Sequence, residues 1–360
     1  MISLIIRARL RVILLTIGTA VAGGLLLWRP EAIAGGISRG LSIFSSILIP
    51  SLFPFLVLGG FLARSGIATA LGRRLDSMTR RLFGLPGCCA PAILIGFLGG
   101  YPAGGSMVNE LVRSGQITLQ DGRRMMRFCV CGGPGFIVST VGVSLTNSRS
   151  FGLLLLTAHL LSALLIGMLG TTRDNRRRTS APLPQTRFVS VSSAFTDSVT
   201  AACQSLLSMC GFLLLFCAIL ALWDTTKLSE NYPLTAFLSC ILEVSCGCIA
   251  AAPLRALAPI LLGFAVGFGG LSVHCQLAAT LAGTGVFTPS FFLARLLHGT
   301  LTATLTLLLL RIFPVSQPVF GNNTPLIVPT FNGMGVSLFL FILCGIWLLC
   351  VDKKSEVPYN

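Results

Sequence analysis

The sequence predicts an all-α polytopic membrane protein with a transporter-like architecture. It should have about eight transmembrane helices, two broken or re-entrant Gly-rich segments, and two repeated, inverted halves. Three observations lead there. The 360 residues are 54% hydrophobic and only 10% charged, with a mean hydropathy of +0.87, whereas soluble domains are about 25% charged. The Lys and Arg residues fall between apolar runs, so the formal charge of +15 reflects topology and anionic lipid. Nucleic acid is excluded as a partner, because no aromatic platform is interleaved with those cations. Finally, Gly96-Phe97-Leu98-Gly99-Gly100-Tyr101-Pro102 and Gly263-Phe264-Ala265-Val266-Gly267-Phe268-Gly269-Gly270 share the pattern Gly-Phe-x-x-Gly-aromatic.

Residues 1–30 hold Arg7, Arg9 and Arg11 before an apolar run at 12–28. No small-residue cleavage site follows, so this reads as a retained signal anchor rather than a removed signal peptide. Residues 31–170 form the first half. In 31–47 apolar residues recur at three- and four-residue spacing among Ser and charged residues, which makes an amphipathic helix. The run 48–63, with Pro50 and Pro54, reads as a kinked span. Arg73, Arg74, Arg80 and Arg81 mark an interfacial or cytoplasmic stretch. The first broken segment, 87–108, follows, and then polar residues at 109–127. If both flanks are cytoplasmic, the broken segment is a re-entrant hairpin. An apolar run at 128–145 is interrupted by Gly132-Gly133-Pro134-Gly135, and 151–170 is an uninterrupted span.

Residues 171–187 carry five Arg and two Pro without an apolar face, as a flexible cytoplasmic linker does. The second half, 188–313, begins with an amphipathic segment at 188–206. Spans follow at 206–223 and at 234–252, the latter with Glu243 at its centre. The second broken segment lies in 258–285, and a span runs over 291–313. Residues 314–360 supply an uncharged loop, expected outside, and a last span at 336–351 before Lys353 and Lys354. Ala158-His159-Leu160-Leu161 also resembles Ala294-Arg295-Leu296-Leu297, each late in its half. An odd number of crossings between the halves would invert them, whereas Arg counting places both broken segments on the cytoplasmic side.

Taken with Pro50-Ser51-Leu52-Phe53-Pro54-Phe55, Ser114-Gly115, Phe128-Cys129, Gly133-Pro134, Leu242-Glu243-Val244, the stretch 267–274 and 294–299, these segments resemble the Gate-domain ("nucleoside recognition") membrane proteins. Within them the chain is most similar to the sporulation integral membrane protein family of the YlbJ type. The likeness covers roughly residues 31–302. It departs where the family commonly has Asn after Phe-Cys and this chain has Val130-Cys131. The resemblance implies a transporter-like fold with re-entrant hairpins, related to concentrative nucleoside carriers. It also implies dipicolinate transport across the outer forespore membrane, or a nucleoside as the carried solute.

Candidate site residues come from intramembrane polarity and from backbone breaks. Gly costs about 1 kcal/mol in a helix interior and Pro about 3, so Gly99, Gly100, Gly269 and Gly270 mark irregular backbone. Such backbone survives in a bilayer only where protein buries it or a wet cavity lines it. The alternative is a Gly-rich packing seam. Tyr101, Ser106, Asn109, Ser272 and Gln276 are the polar groups beside the breaks. Glu243, mid-span, is functional by default or else part of a structural ion pair, with Arg295 its natural partner. Left unpaired, Arg295 would meet an anionic solute with its fork of donors. His298 shares the Arg295 face, and His274 follows the second break. Half-helix N-termini add anion affinity. No metal or cofactor is expected: the Cys pairs at 88–89, 129/131 and 246/248 lack zinc-type spacing with His. Without a nucleophile elbow or paired carboxylates, an enzyme is not expected either. The expected partners are the lipid bilayer and a small polar, anionic solute. The location is a bacterial cell membrane, crossed several times. A non-transporting scaffold or regulator that retains the fold is the competing reading.

Overall fold

The computed structural model describes residues 16–21, 23–25, 27–65, 74–169 and 190–315, with isolated positions at 13, 67 and 72. Of the expected run at 12–28, positions 12, 14, 15, 22 and 26 lie outside the described residues, and so do all of 171–187 and 336–351. Among those described, every regular element is helical. Apolar side chains such as Leu207, Leu293 and Phe195 face outward, while Arg295, His298 and Glu243 are buried. This is the polarity of a protein solvated by lipid. The chain is an integral membrane protein.

Helix α1 (Pro30–Ile43) runs through a π turn at Phe44–Leu48 into α2 (Ile49–Arg64). The pair bends by 58°, where the widened turn meets Pro50 and Pro54. Gly36 and Gly40 let α1 lie directly on α8 (Val191–Trp223): a Cβ on Gly36 would fall 2.6 Å from the Ala221 Cβ. Helix α3 (Asp76–Phe83) ends at Gly84, whose φ of 58° closes the helix while Leu85 N–H reaches back to the Thr79 carbonyl. The chain then turns by 90°. Asp76 holds that corner by accepting from Gly87 N–H and Arg80 Nε, both at 2.7 Å. Arg124 on α6 (Leu119–Met126) donates to the Phe83 carbonyl at 2.6 Å.

The first Gly-rich segment is a hairpin. Helix α4 (Ala90–Leu98) breaks at Gly99-Gly100, and α5 (Tyr101–Arg113) doubles back along it. Gly96 and Gly104 prove the reversal: a Cβ on Gly104 would lie 2.9 Å from the Gly96 Cα, whereas eight residues of one helix would separate them by about 12 Å. The second segment behaves differently. Helices α11 (Ala258–Phe268) and α12 (Gly270–Thr280) are broken at Gly269, yet 255–280 continues as one apolar path of 26 residues. Its earlier glycines face a neighbour instead. Gly263 and Gly267 seat against Ala303 and Gly299 of α13 (Pro289–Ile312). So the packing-seam alternative holds for Gly263 and Gly267, while Gly269 breaks the helix.

Two further expectations change. The span at 234–252 is divided: α9 (Tyr232–Leu242) stops and α10 (Val244–Ala251) starts at Glu243, which is extended at φ −146°, ψ 125°. Glu243 interrupts the helix because its carboxylate caps α10, accepting from Cys246 N–H at 2.7 Å. The amphipathic segment at 188–206 and the span at 206–223 are one unbroken helix, α8, of 33 residues. Between α6 and the π helix Gly135–Leu145, residues 130–133 run without helix, and α7 (Arg149–Leu169) then packs along α13. Among the described residues, four segments are long and apolar enough to cross a membrane, or up to six if each bent pair is one span. That is fewer than eight, because 128–145 and 234–252 are broken into short pieces, the run at 12–28 supplies only the short helix Thr16–Leu25, and 336–351 lies outside the described residues.

Candidate functional site

Four interruptions of helix meet at one place. At the first, Gly100 takes φ 84° with ψ 177°, a conformation essentially confined to glycine. It lies against Gly133 of the non-helical stretch, whose nitrogen is 3.7 Å from where a Gly100 Cβ would be. Gly269, at φ 87°, approaches the Tyr101 ring: a Cβ there would sit 3.4 Å from Tyr101 Cε1. Gly270, at φ 74°, abuts the Glu243 break, with the Val244 nitrogen 2.9 Å from its would-be Cβ. The two glycine stretches therefore touch, as their shared pattern suggests.

A cavity lies at this convergence, with about 510 Å³ of empty space once the open solvent at its mouth is counted. One wall is backbone and polar groups: Gly99, Gly100, Tyr101, Glu243, Ser245, Ser272 and Gln276. The other is apolar, with Leu52 and Leu56 from α2, Phe136, and Met209 and Leu213 from α8.

Behind the cavity the break in α11 is made good. A helix end leaves its last four carbonyls without an intrahelical donor, and in a bilayer no water replaces that donor. Here each of the four is matched. The Ala265 carbonyl accepts from Gly269 N–H at 2.8 Å, and that of Val266 accepts from the Tyr101 hydroxyl at 2.7 Å. The Gly267 carbonyl accepts from Arg295 Nη2. The Phe268 carbonyl accepts from Arg295 Nε at 3.2 Å and His274 Nε2 at 3.0 Å. Arg295 Nη1 donates to the Val130 carbonyl and, at 2.8 Å, to His298 Nδ1. His298 Nε2 then donates to the His159 carbonyl at 3.0 Å, and Gly132 N–H donates to His159 Nε2 at 2.9 Å. The His159 and His298 rings stack at 4.5 Å. One buried network thus joins the α11 end to the non-helical stretch of the first half, with a guanidinium where a helix dipole favours positive charge. The similar segments at 158–161 and 294–297 face each other across it.

Six of the thirteen sequence-derived residues therefore line the cavity: Gly99, Gly100, Tyr101, Glu243, Ser272 and Gln276. Gly269 and Gly270 form its backing. Arg295, His274 and His298 are buried but stand behind it, serving backbone carbonyls and one another. Ser106 is exposed and Asn109 half-buried, and neither reaches the lining. Glu243 and Arg295 form no ion pair: the ion pairs among the described residues are Arg39–Asp224, Arg80–Asp76 and Arg124–Asp121. Sequence reasoning missed Ser245 and Gly133 on the lining.

The chain is similar to the sporulation integral membrane protein YlbJ of Bacillus subtilis (strain 168), with 28% identity over 318 aligned residues and 78% of each chain covered. No family model matches, and no solved structure does.

Cys131, His159 and His298 bring three donor atoms within 4.8 Å of one another, but the set does not fit a metal. His159 Nε2 is occupied by Gly132 N–H, and His298 spends both nitrogens on Arg295 and the His159 carbonyl. Cys131 donates to the Phe128 carbonyl. A divalent ion would also sit beside the buried guanidinium. The Tyr101 hydroxyl is likewise committed to Val266. Tyr101→Phe should thus lower stability by about 1 kcal/mol and leave solute binding unchanged. A thermal melt in detergent, read beside an uptake assay, checks both.

Proposed function

We propose that the chain is a membrane carrier for a small polar solute and not an enzyme, with the solute held at the meeting point of the helix breaks. The observation that carries this reading is the cavity itself. Irregular backbone from both halves is expensive in a bilayer, and here it converges on one space, lined by Glu243, Ser245, Ser272 and Gln276 among apolar side chains, instead of being dispersed. The name of the relative suggests that the carrier acts in sporulation. The Gate-domain resemblance adds dipicolinate as the first solute to try and the outer forespore membrane as the place to look; neither rests on a residue of the cavity.

Uptake by purified protein in liposomes, with dipicolinate and nucleosides offered, tests the reading. Gly100→Ala is the informative variant. Space for the methyl exists, so the penalty comes from φ 84°, and such strain costs on the order of 1–3 kcal/mol. We expect the variant to insert and to lose uptake. No uptake of any solute by the unaltered protein, or full uptake by Gly100→Ala, would favour the scaffold reading.

A further inference from the structure

We propose that the cavity binds a carboxylate between the N-termini of α5 and α12, and that Glu243 takes up one proton with each anion bound. This rests on the carrier reading and names the coupling ion of that same site. The first N–H groups of a helix have no intrahelical acceptor, and neither α5 nor α12 has a side-chain cap. Among the described residues no acceptor meets the N–H of Gly100, Tyr101, Gly270 or Ser272. Gly100, Tyr101 and Ser272 line the cavity, so both positive helix ends open on it, and such ends favour an anion. A second observation is independent of the helix ends. The Gln276 and Ser272 side chains are 2% and 5% exposed, line the cavity, and make no hydrogen bond among the described residues, although buried amides and hydroxyls are nearly always satisfied. Four residues apart, they share one face of α12, and both can donate. A carboxylate only accepts, which suits a pole built of donors.

Glu243 is the one charged side chain among the described lining residues, and it stands beside the same pole. A Cβ on Gly270 would lie 3.1 Å from the Glu243 Cα. Its carboxylate caps α10 through Cys246 N–H and leaves the ends of α5 and α12 open. The titratable groups facing it are Cys240 on α9, Cys246 and Cys248 on α10, and Tyr101 on α5. Cys217 of α8 lies behind Cys246, at 3.3 Å. Thiols and phenols ordinarily titrate above neutral pH. His274 of α12 turns to the Phe268 carbonyl, and Arg295 of α13 is engaged through Nε, Nη1 and Nη2, so no cation on the lining offsets Glu243. Two carboxylates that share one site cannot both stay ionised, and the pair holds a proton. That proton comes from the water on the side where the anion enters. It rests on the Glu243 carboxyl while the anion accepts from the helix ends, Ser272 and Gln276, and it leaves with the anion. By linkage, anion and proton each tighten the binding of the other.

The test titrates pyridine-2,6-dicarboxylate and its neutral isostere pyridine-2,6-dicarboxamide calorimetrically into the full chain in nanodiscs, in buffers of different protonation enthalpy. For the dicarboxylate we expect uptake of about one proton per molecule bound, and an affinity that falls up to about tenfold per pH unit once Glu243 ionises in the free protein. The diamide should bind at least about tenfold more weakly at the low-pH end, with no proton uptake. Glu243→Gln keeps an acceptor for Cys246 N–H, and its melting temperature is read beside its binding. It should hold the dicarboxylate with no proton uptake and with an affinity flat in pH. Gln276→Ala should weaken the dicarboxylate about tenfold, as loss of a buried hydrogen-bonding partner does, and leave the proton count at about one. The proton count on the unaltered protein decides the matter even where a variant fails to fold. Dicarboxylate binding without proton uptake, uptake that persists in Glu243→Gln, or tighter binding of the diamide at every pH overturns the proposal and leaves the carrier reading standing. Binding of neither compound also overturns it, and the liposome assay then decides separately whether the carrier reading falls as well.

Discussion

Arg295→Ala should cost the protein its fold rather than its ligand. The substitution strips donors from the carbonyls of Gly267, Phe268 and Val130 and from His298 Nδ1, all buried. The Phe268 carbonyl keeps His274; the others are left without Arg295, and each unsatisfied group costs about 1–3 kcal/mol. A total on the order of 3–5 kcal/mol is expected, as when one member of a buried charged network is removed. Arg295→Lys keeps the charge and still fails, because one ammonium cannot span carbonyls on two segments that a planar fork reaches together. Combining Arg295→Met with Glu243→Gln should bring no rescue. Glu243 is partnered by Cys246 N–H and shares no hydrogen bond with Arg295, so the two losses should add. Melting temperatures by fluorescence-detected size exclusion check all three variants. An Arg295→Ala protein that melts like the parent but has lost solute binding would put the guanidinium back in the site.

This outcome bears on what intramembrane polarity means. The sequence marks Glu243, Arg295, His274 and His298 because charged and polar side chains are expensive in lipid, and their burial agrees. What polarity alone does not distinguish is a side chain that serves a solute from one that serves the backbone. Both problems arise at the same place, since a broken helix creates orphan carbonyls as well as a cavity. Glycine content located the two breaks at 99–100 and 269, because little else tolerates a φ near +85°. The break at Glu243 has no glycine and no proline beside it and is visible only once the carboxylate is seen to cap α10. The difference between hairpin and continuing path was likewise hidden. It depends on whether Gly96 and Gly104 face each other, while Gly263 and Gly267 face α13, and the shared pattern does not encode that.

Gly104→Ala should be the most damaging single-methyl change in the first half. A Cβ at 104 would lie 2.0 Å from the Cys129 carbonyl oxygen, and one at Gly96 would lie 2.1 Å from the same atom. The two hairpin arms thus pinch one backbone oxygen, which has no flexible end to swing away. Relief requires 129–133 to shift. That stretch holds the Val130 carbonyl on Arg295, Gly132 N–H on His159, and Gly133 against Gly100. Overpacking of this kind costs about 1–3 kcal/mol, and the upper end is expected because the obstacle is backbone. Gly35→Ala is the control. Position 35 is exposed on α1 with nothing within 4 Å of an added Cβ, so the change should stabilise by up to about 1 kcal/mol through helix propensity. The double variant Gly96→Ala with Gly104→Ala should cost less than the sum of its parts, because one displacement of the Cys129 carbonyl relieves both clashes. Melting temperatures rank the four proteins. If Gly104→Ala melted no lower than Gly35→Ala, the arms would not be closed on that carbonyl, and the hairpin would have to open wider than the contact between Gly96 and Gly104 allows.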